Sequence, residues 1–123
     1  MKKHYKITES ESRKNEKPCY LYVLRHIEED GEQNTKIGVS YDPVKRCRDC
    51  TSSYGYLFFL YRTYEMSRET ALKIEETLKK KYSHLTIKKW KEVFSHSPEA
   101  IHSDIMGEIK RIGGEYARSH YPA

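Results

Sequence analysis

The chain has 123 residues, the size of one compact domain. Hydrophobic residues make up 37% and charged residues 33%, the mean hydropathy is -0.91, and no apolar run approaches the roughly 18 residues of a membrane span, so no membrane role is expected. A net charge of +5 suits a polyanionic partner only mildly, and three cysteines, an odd number, argue against a disulfide framework and for a reducing, cytoplasmic setting.

Residues 1–17 are polar and basic, without the apolar stretch of a secretory signal, and are expected to form an arm ahead of a single domain over 18–123. Residues 19–27, CYLYVLRHI, are aromatic and branched and read as a strand. A polar loop with a glycine follows at 28–34, then a second strand at 35–40, TKIGVS, pairing with the first as a hairpin. Asp42-Pro43 is a helix start, with a capping side chain and then a proline at the first helical position. The helix PVKRCRDC is short, and YGYLFFLYRTYE (54–65) reads as the longest, interior strand. Ser67 caps a helix running to about Tyr82. KKWKEVF (88–94) fits a turn or a short strand; Ser97-Pro98 opens a last helix and Gly113-Gly114 closes it. The order β-β-α-β-α-α predicts an α+β fold with a small three-stranded antiparallel sheet flanked by helices.

Alternation along the strands groups Leu21, Val23 and Ile27 on one face and Tyr20, Tyr22 and Leu24 on the other. If Ile37 and Val39 pack inward with the first set, Tyr22 and Lys36 emerge together on the opposite face, and Gly38 leaves room for an approach to the backbone. A solvated Tyr–Lys pair is the plain alternative. On the helix after Ser67, Ala71, Leu78 and Tyr82 form an apolar stripe with Glu75 in its middle, whereas Glu76 points to solvent. A carboxylate there needs a cation, either a lysine or arginine held for structure or a metal ion. Arg46 fits either a solvent-facing helix arginine or a phosphate clamp.

In order along the chain, these pieces resemble the GIY-YIG nuclease superfamily, most of all its compact phage and bacterial branch. Tyr20-Leu21-Tyr22 stands at the first motif and Lys36-Ile37-Gly38 at the second; Arg46 lies eight residues beyond the glycine, and Glu75 in ALKIEETLKKKY matches the helix glutamate. The first motif lacks its glycine, lysine replaces the first tyrosine of the second, and Cys50 lies near a position where relatives carry a histidine. The resemblance covers about residues 19–95 and implies a metal-dependent endonuclease acting on DNA in a bacterial or phage-infected cell. It implies Glu75 as the ligand of Mg²⁺ or Mn²⁺, Tyr22 as general base or orienter of water, Lys36 as a cation lowering the pKa of that phenol, and Arg46 as stabiliser of the phosphate. A second reading is a non-catalytic module of the same kind that binds nucleic acid or a protein partner, such as a phage-encoded modulator of a host system.

Lys45 and Arg48 of the short helix, with Lys88 and Lys89, are candidate contacts to the DNA backbone. Trp90 is expected in the core rather than stacked on a base. Cys47 and Cys50 have C-x-x-C spacing but lack the second pair that a zinc site needs. Ile101, Ile105, Ile109 and Ile112 form one helical stripe, expected to pack inward in a monomer or to serve a homodimer.

Overall fold

The computed structural model describes residues 3–8, 17–27, 31–55, 57–87, 90–112 and 115–119. In chain order the elements are β1 (Lys3–Thr8), β2 (Cys19–Ile27), β3 (Gln33–Ser40), α1 (Pro43–Tyr54), β4 (Phe59–Met66), α2 (Arg68–Lys81), β5 (Thr86–Ile87), β6 (Trp90–Ser95), α3 (Pro98–Arg111) and β7 (Glu115–Ser119). The strands lie in the order β5-β6-β3-β2-β4-β1-β7. The expected α+β class holds, and the three expected strands are the antiparallel centre, β3-β2-β4.

The sheet is wider than the three strands the sequence predicts. Within KKWKEVF, the described residues from Trp90 on form strand β6, which pairs with β3 through Asn34↔Ser95, Thr35↔Phe94 and Lys36↔Val93. The stretch expected to be a polar arm supplies β1, which runs parallel to β4 and antiparallel to β7. Its sequence alternates Tyr5 and Ile7 with polar residues, a period-two signal masked by the surrounding charge. β4 begins at Phe59 rather than at 54, because Gly55 adopts a left-handed conformation (φ 72°) and donates its N–H to Thr51 O, ending α1.

Local chemistry sets the helix starts. Asp42 accepts from Lys45 N (3.1 Å) with Pro43 next in line, Ser67 accepts from Thr70 N (3.2 Å), and Ser97 accepts from Ala100 N (3.2 Å). The expected stops at Gly113-Gly114 lie outside the described residues.

The sheet is covered on both faces. On one face Leu21, Val23, Ile37, Tyr64 and Met66 pack with Ala71, Ile74 and Leu78 of α2 and with Ile101, Ile105 and Ile109 of α3. Each fully buried branched side chain of this kind contributes about 1.5–3 kcal/mol. The isoleucine stripe ends at Ile109: Ile112 is 41% exposed. On the other face Tyr22, Leu24, Phe58 and Val93 pack with Cys50 of α1. No helix among the described residues is long and apolar enough to cross a membrane.

Candidate active site

The site forms where the β3–β6 ladder stops. That ladder ends at Lys36↔Val93, so the next residues of β3, including Gly38, continue without a partner on β6. On the other side, Gly38 pairs with Tyr22 of β2. The Tyr22 ring lies across Gly38: a Cβ there would collide with the Tyr22 hydroxyl and Cζ and sit 2.7 Å from Cε2. The room expected for an incoming backbone is thus filled by the phenol itself. Gly38 is required because no side chain fits beneath that ring.

Tyr22 is 1% exposed. The Arg46 guanidinium of α1 lies beside its hydroxyl, and Cys50 and Glu75 lie within electrostatic reach of it. Burial pushes the phenol up to about 12, and Arg46 opposes that rise. Arg46 reaches this position because the Asp42 cap and Pro43 start α1 directly after β3, leaving the arginine within the first turn.

Lys36 pairs with a carboxylate of the neighbouring strand. Its side chain is only 4% exposed, and its ammonium donates to Glu92 Oε2 of β6 at 3.1 Å. Lys36 is the largest cause holding the Glu92 carboxyl below its usual range. Lys79 Nζ then lies 3.9 Å from Glu92 Oε1 and 3.4 Å from Glu75 Oε2. The result is a line of alternating charges, Lys36–Glu92–Lys79–Glu75, crossing from β3 through β6 to α2. The cation that the apolar stripe demanded at Glu75 is therefore Lys79, one helical turn on.

Four of the expected residues, Tyr22, Lys36, Arg46 and Glu75, thus come together from β2, β3, α1 and α2. Three further residues belong with them. Glu92 links the lysines, Lys79 pairs with both carboxylates, and Tyr54 lies in the same field, near Glu92, Cys50, Arg46 and Lys79. Lys79 was readable as the i+4 partner of Glu75. Tyr54 was hidden because its stretch reads as a strand start rather than a helix end.

The expected DNA contacts divide. Lys45 is exposed and paired with Asp49 at 3.4 Å, and Arg48 is exposed on the same helix. Lys88 and Lys89 lie outside the described residues, as does the side chain of Trp90. Cys47 Sγ donates to Phe58 O (3.3 Å), and Cys50 is buried, its thiol pushed up by desolvation. Among the described residues no three His, Cys, Asp or Glu side chains gather where a metal ion could be held by protein alone. A divalent cation at Glu75 would draw on one or two carboxylates and complete its shell with water and phosphate oxygens, a habit that suits Mg²⁺.

These features describe a small α+β domain whose sheet and helices gather two phenols, two lysines, an arginine and two carboxylates at one break in the strand ladder. The T5orf172 domain family matches residues 19–110, and the chain belongs to that family. The family is nuclease-associated. No curated protein and no solved structure matches the chain.

Proposed function

We propose that this domain is a metal-dependent endonuclease that hydrolyses DNA phosphodiester bonds. The observation that carries the reading is the meeting of Arg46 and Glu75 in the field of the Tyr22 phenol, which joins three separated elements around one hydroxyl. Arg46, exposed at its outer side, is free to meet a phosphate oxygen while keeping Tyr22 oriented. Lys36 adds positive charge from a buried position, where electrostatic attraction is less screened than at the surface.

In this reading water adds to phosphorus, the phosphodiester P–O bond breaks, and its electron pair leaves on the sugar oxygen. Tyr22 is neutral in the free protein and orients that water through its hydroxyl; the attacking water gives its proton to solvent, and the leaving sugar oxygen takes one from solvent. Glu75 would hold a Mg²⁺ or Mn²⁺ ion, which when bound would supply Lewis-acid stabilisation of the phosphoryl oxygens. The domain works in the cytoplasm of a bacterial or phage-infected cell, as a monomer or homodimer.

A second reading, a non-catalytic module that binds nucleic acid or a protein, is favoured by one feature: Lys36 and Glu75 both have internal ion-pair partners. Cleavage of supercoiled plasmid and of branched and single-stranded oligonucleotides, with Mg²⁺, Mn²⁺ or EDTA and with Glu75→Ala, separates the two. Metal-dependent cutting that disappears in Glu75→Ala is the expected result. A folded protein that cuts none of these substrates turns the assignment to the binding module.

A further inference from the structure

Glu92 occupies an unusual place for a carboxylate. It stands on β6 with Lys36 at 3.1 Å and Lys79 at 3.9 Å, and Arg46 also contributes to the field around it. Its own side chain is 57% exposed, whereas Lys36 is 4% exposed. The lysine is therefore fixed and the carboxylate is the movable partner. An anion of two oxygens held between cations, reachable from solvent and carried on a flexible stem, has the geometry of a phosphate oxygen pair.

We propose that the position held by the Glu92 carboxylate is the phosphodiester-binding position, and that Lys79 joins Lys36 and Arg46 as a phosphate contact once Glu92 is displaced. The inference rests on the nucleic-acid reading of the site and adds to it a third basic residue, from α2, and an internal competitor. Glu92 neutralises the lysines while no substrate is present, so binding becomes an exchange of one anion for another. An isolated phosphate contact must then outcompete a carboxylate already in place, which disfavours loose binding of polyanions. Lys79 keeps Glu75 as its second partner, so the exchange leaves it anchored at one end.

The test is binding of a fluorescein-labelled DNA duplex by anisotropy, in EDTA, over a salt series, for wild type, Glu92→Gln, Glu92→Ala and Lys79→Ala, each checked for a cooperative thermal transition. Glutamine keeps an oxygen for Lys36 while removing the competing charge. Tighter binding in Glu92→Gln, about twofold to fivefold, is the expected weight of a partly exposed ion pair. Lys79→Ala should bind more weakly and lose about 0.9 from the slope of log affinity against log salt, the share of one phosphate contact. Unchanged or weaker binding in both Glu92 variants, with measurable binding by wild type, overturns this inference alone and assigns Glu92 to holding Lys36. An unchanged salt slope in Lys79→Ala overturns the role of Lys79. A complete lack of DNA binding in every folded protein overturns the inference together with the nuclease reading.

Discussion

The Tyr22 ring covers Gly38 on the neighbouring strand so closely that the glycine has no room for a methyl group. The two residues form one packing unit, in which the glycine supplies the floor and the phenol ring lies across it. Gly38→Ala should therefore cost about 1–3 kcal/mol in urea unfolding, because the ring must leave its place or the strands must part. Gly107 provides the contrast: it lies within α3 and a Cβ there meets nothing within 4 Å. Gly107→Ala should stabilise by about 0.4–1 kcal/mol. Equal effects at the two positions would contradict the packing described.

Tyr22 should stay protonated well beyond the ordinary tyrosine value of 10, ionising near 12 because it is buried. The folded state holds the proton more tightly than the unfolded chain does. Its contribution to stability is thus complete below about pH 10 and declines as the pH rises toward 12. Subtracting the alkaline titration of tyrosinate absorbance in Tyr22→Phe from that of wild type isolates this group. A difference curve centred near 10 would rule out a buried Tyr22 hydroxyl.

Glu92 behaves in the opposite sense. Lys36 depresses its carboxyl in the folded state below the ordinary value of 4.5. The pair therefore contributes fully above about pH 4.5, and the contribution declines as the pH falls through the depressed folded value. The gap in urea midpoint between wild type and Glu92→Gln should be constant near neutrality and close on the acid side. A gap that stays the same from neutral to strongly acid conditions would show that Glu92 and Lys36 are not paired in solution.

Ile105 is fully buried between α3 and the sheet, in the middle of the isoleucine stripe. Ile105→Ala should destabilise by about 2–5 kcal/mol, the cost of lost burial and the cavity left behind. Ile112→Ala, at a position 41% exposed, should cost far less. Chemical denaturation of both variants checks the pair, and comparable losses would mean that Ile112 is covered in solution.

The central hairpin, α1, α2 and α3 were legible because each carries a local signal: a branched, aromatic run, a capping side chain, or a helical stripe. Strand alternation placed Tyr22 with Lys36, whereas Arg46 and Glu75 joined them only through the resemblance to the GIY-YIG superfamily. Partner choice was not legible. Lys36 pairs with Glu92, 56 positions away, and only the sheet register shows that. Nor could the sequence show that Gly38 accommodates the protein's own phenol rather than a ligand, because glycine spacing alone does not say which group comes close. The outer strands were missed for a similar reason: β1 and β7 are short, charged and stabilised by pairing more than by their own apolar content.

Those outer strands have a consequence for how the domain is delimited. The family match spans 19–110, and both β1 and β7 fall outside it. Cut down to the matched span, the sheet would present β4 as a bare border, with a row of backbone donors and acceptors open to any passing strand. Here the two flanking segments extend the sheet past β4, His4 opposite Ser119, and move that border out to β7. β1 sits two strands from Tyr22 on the far side from Lys36 and Glu92, so the strands that lengthen the sheet and the strands that carry the candidate site lie on opposite sides of β2.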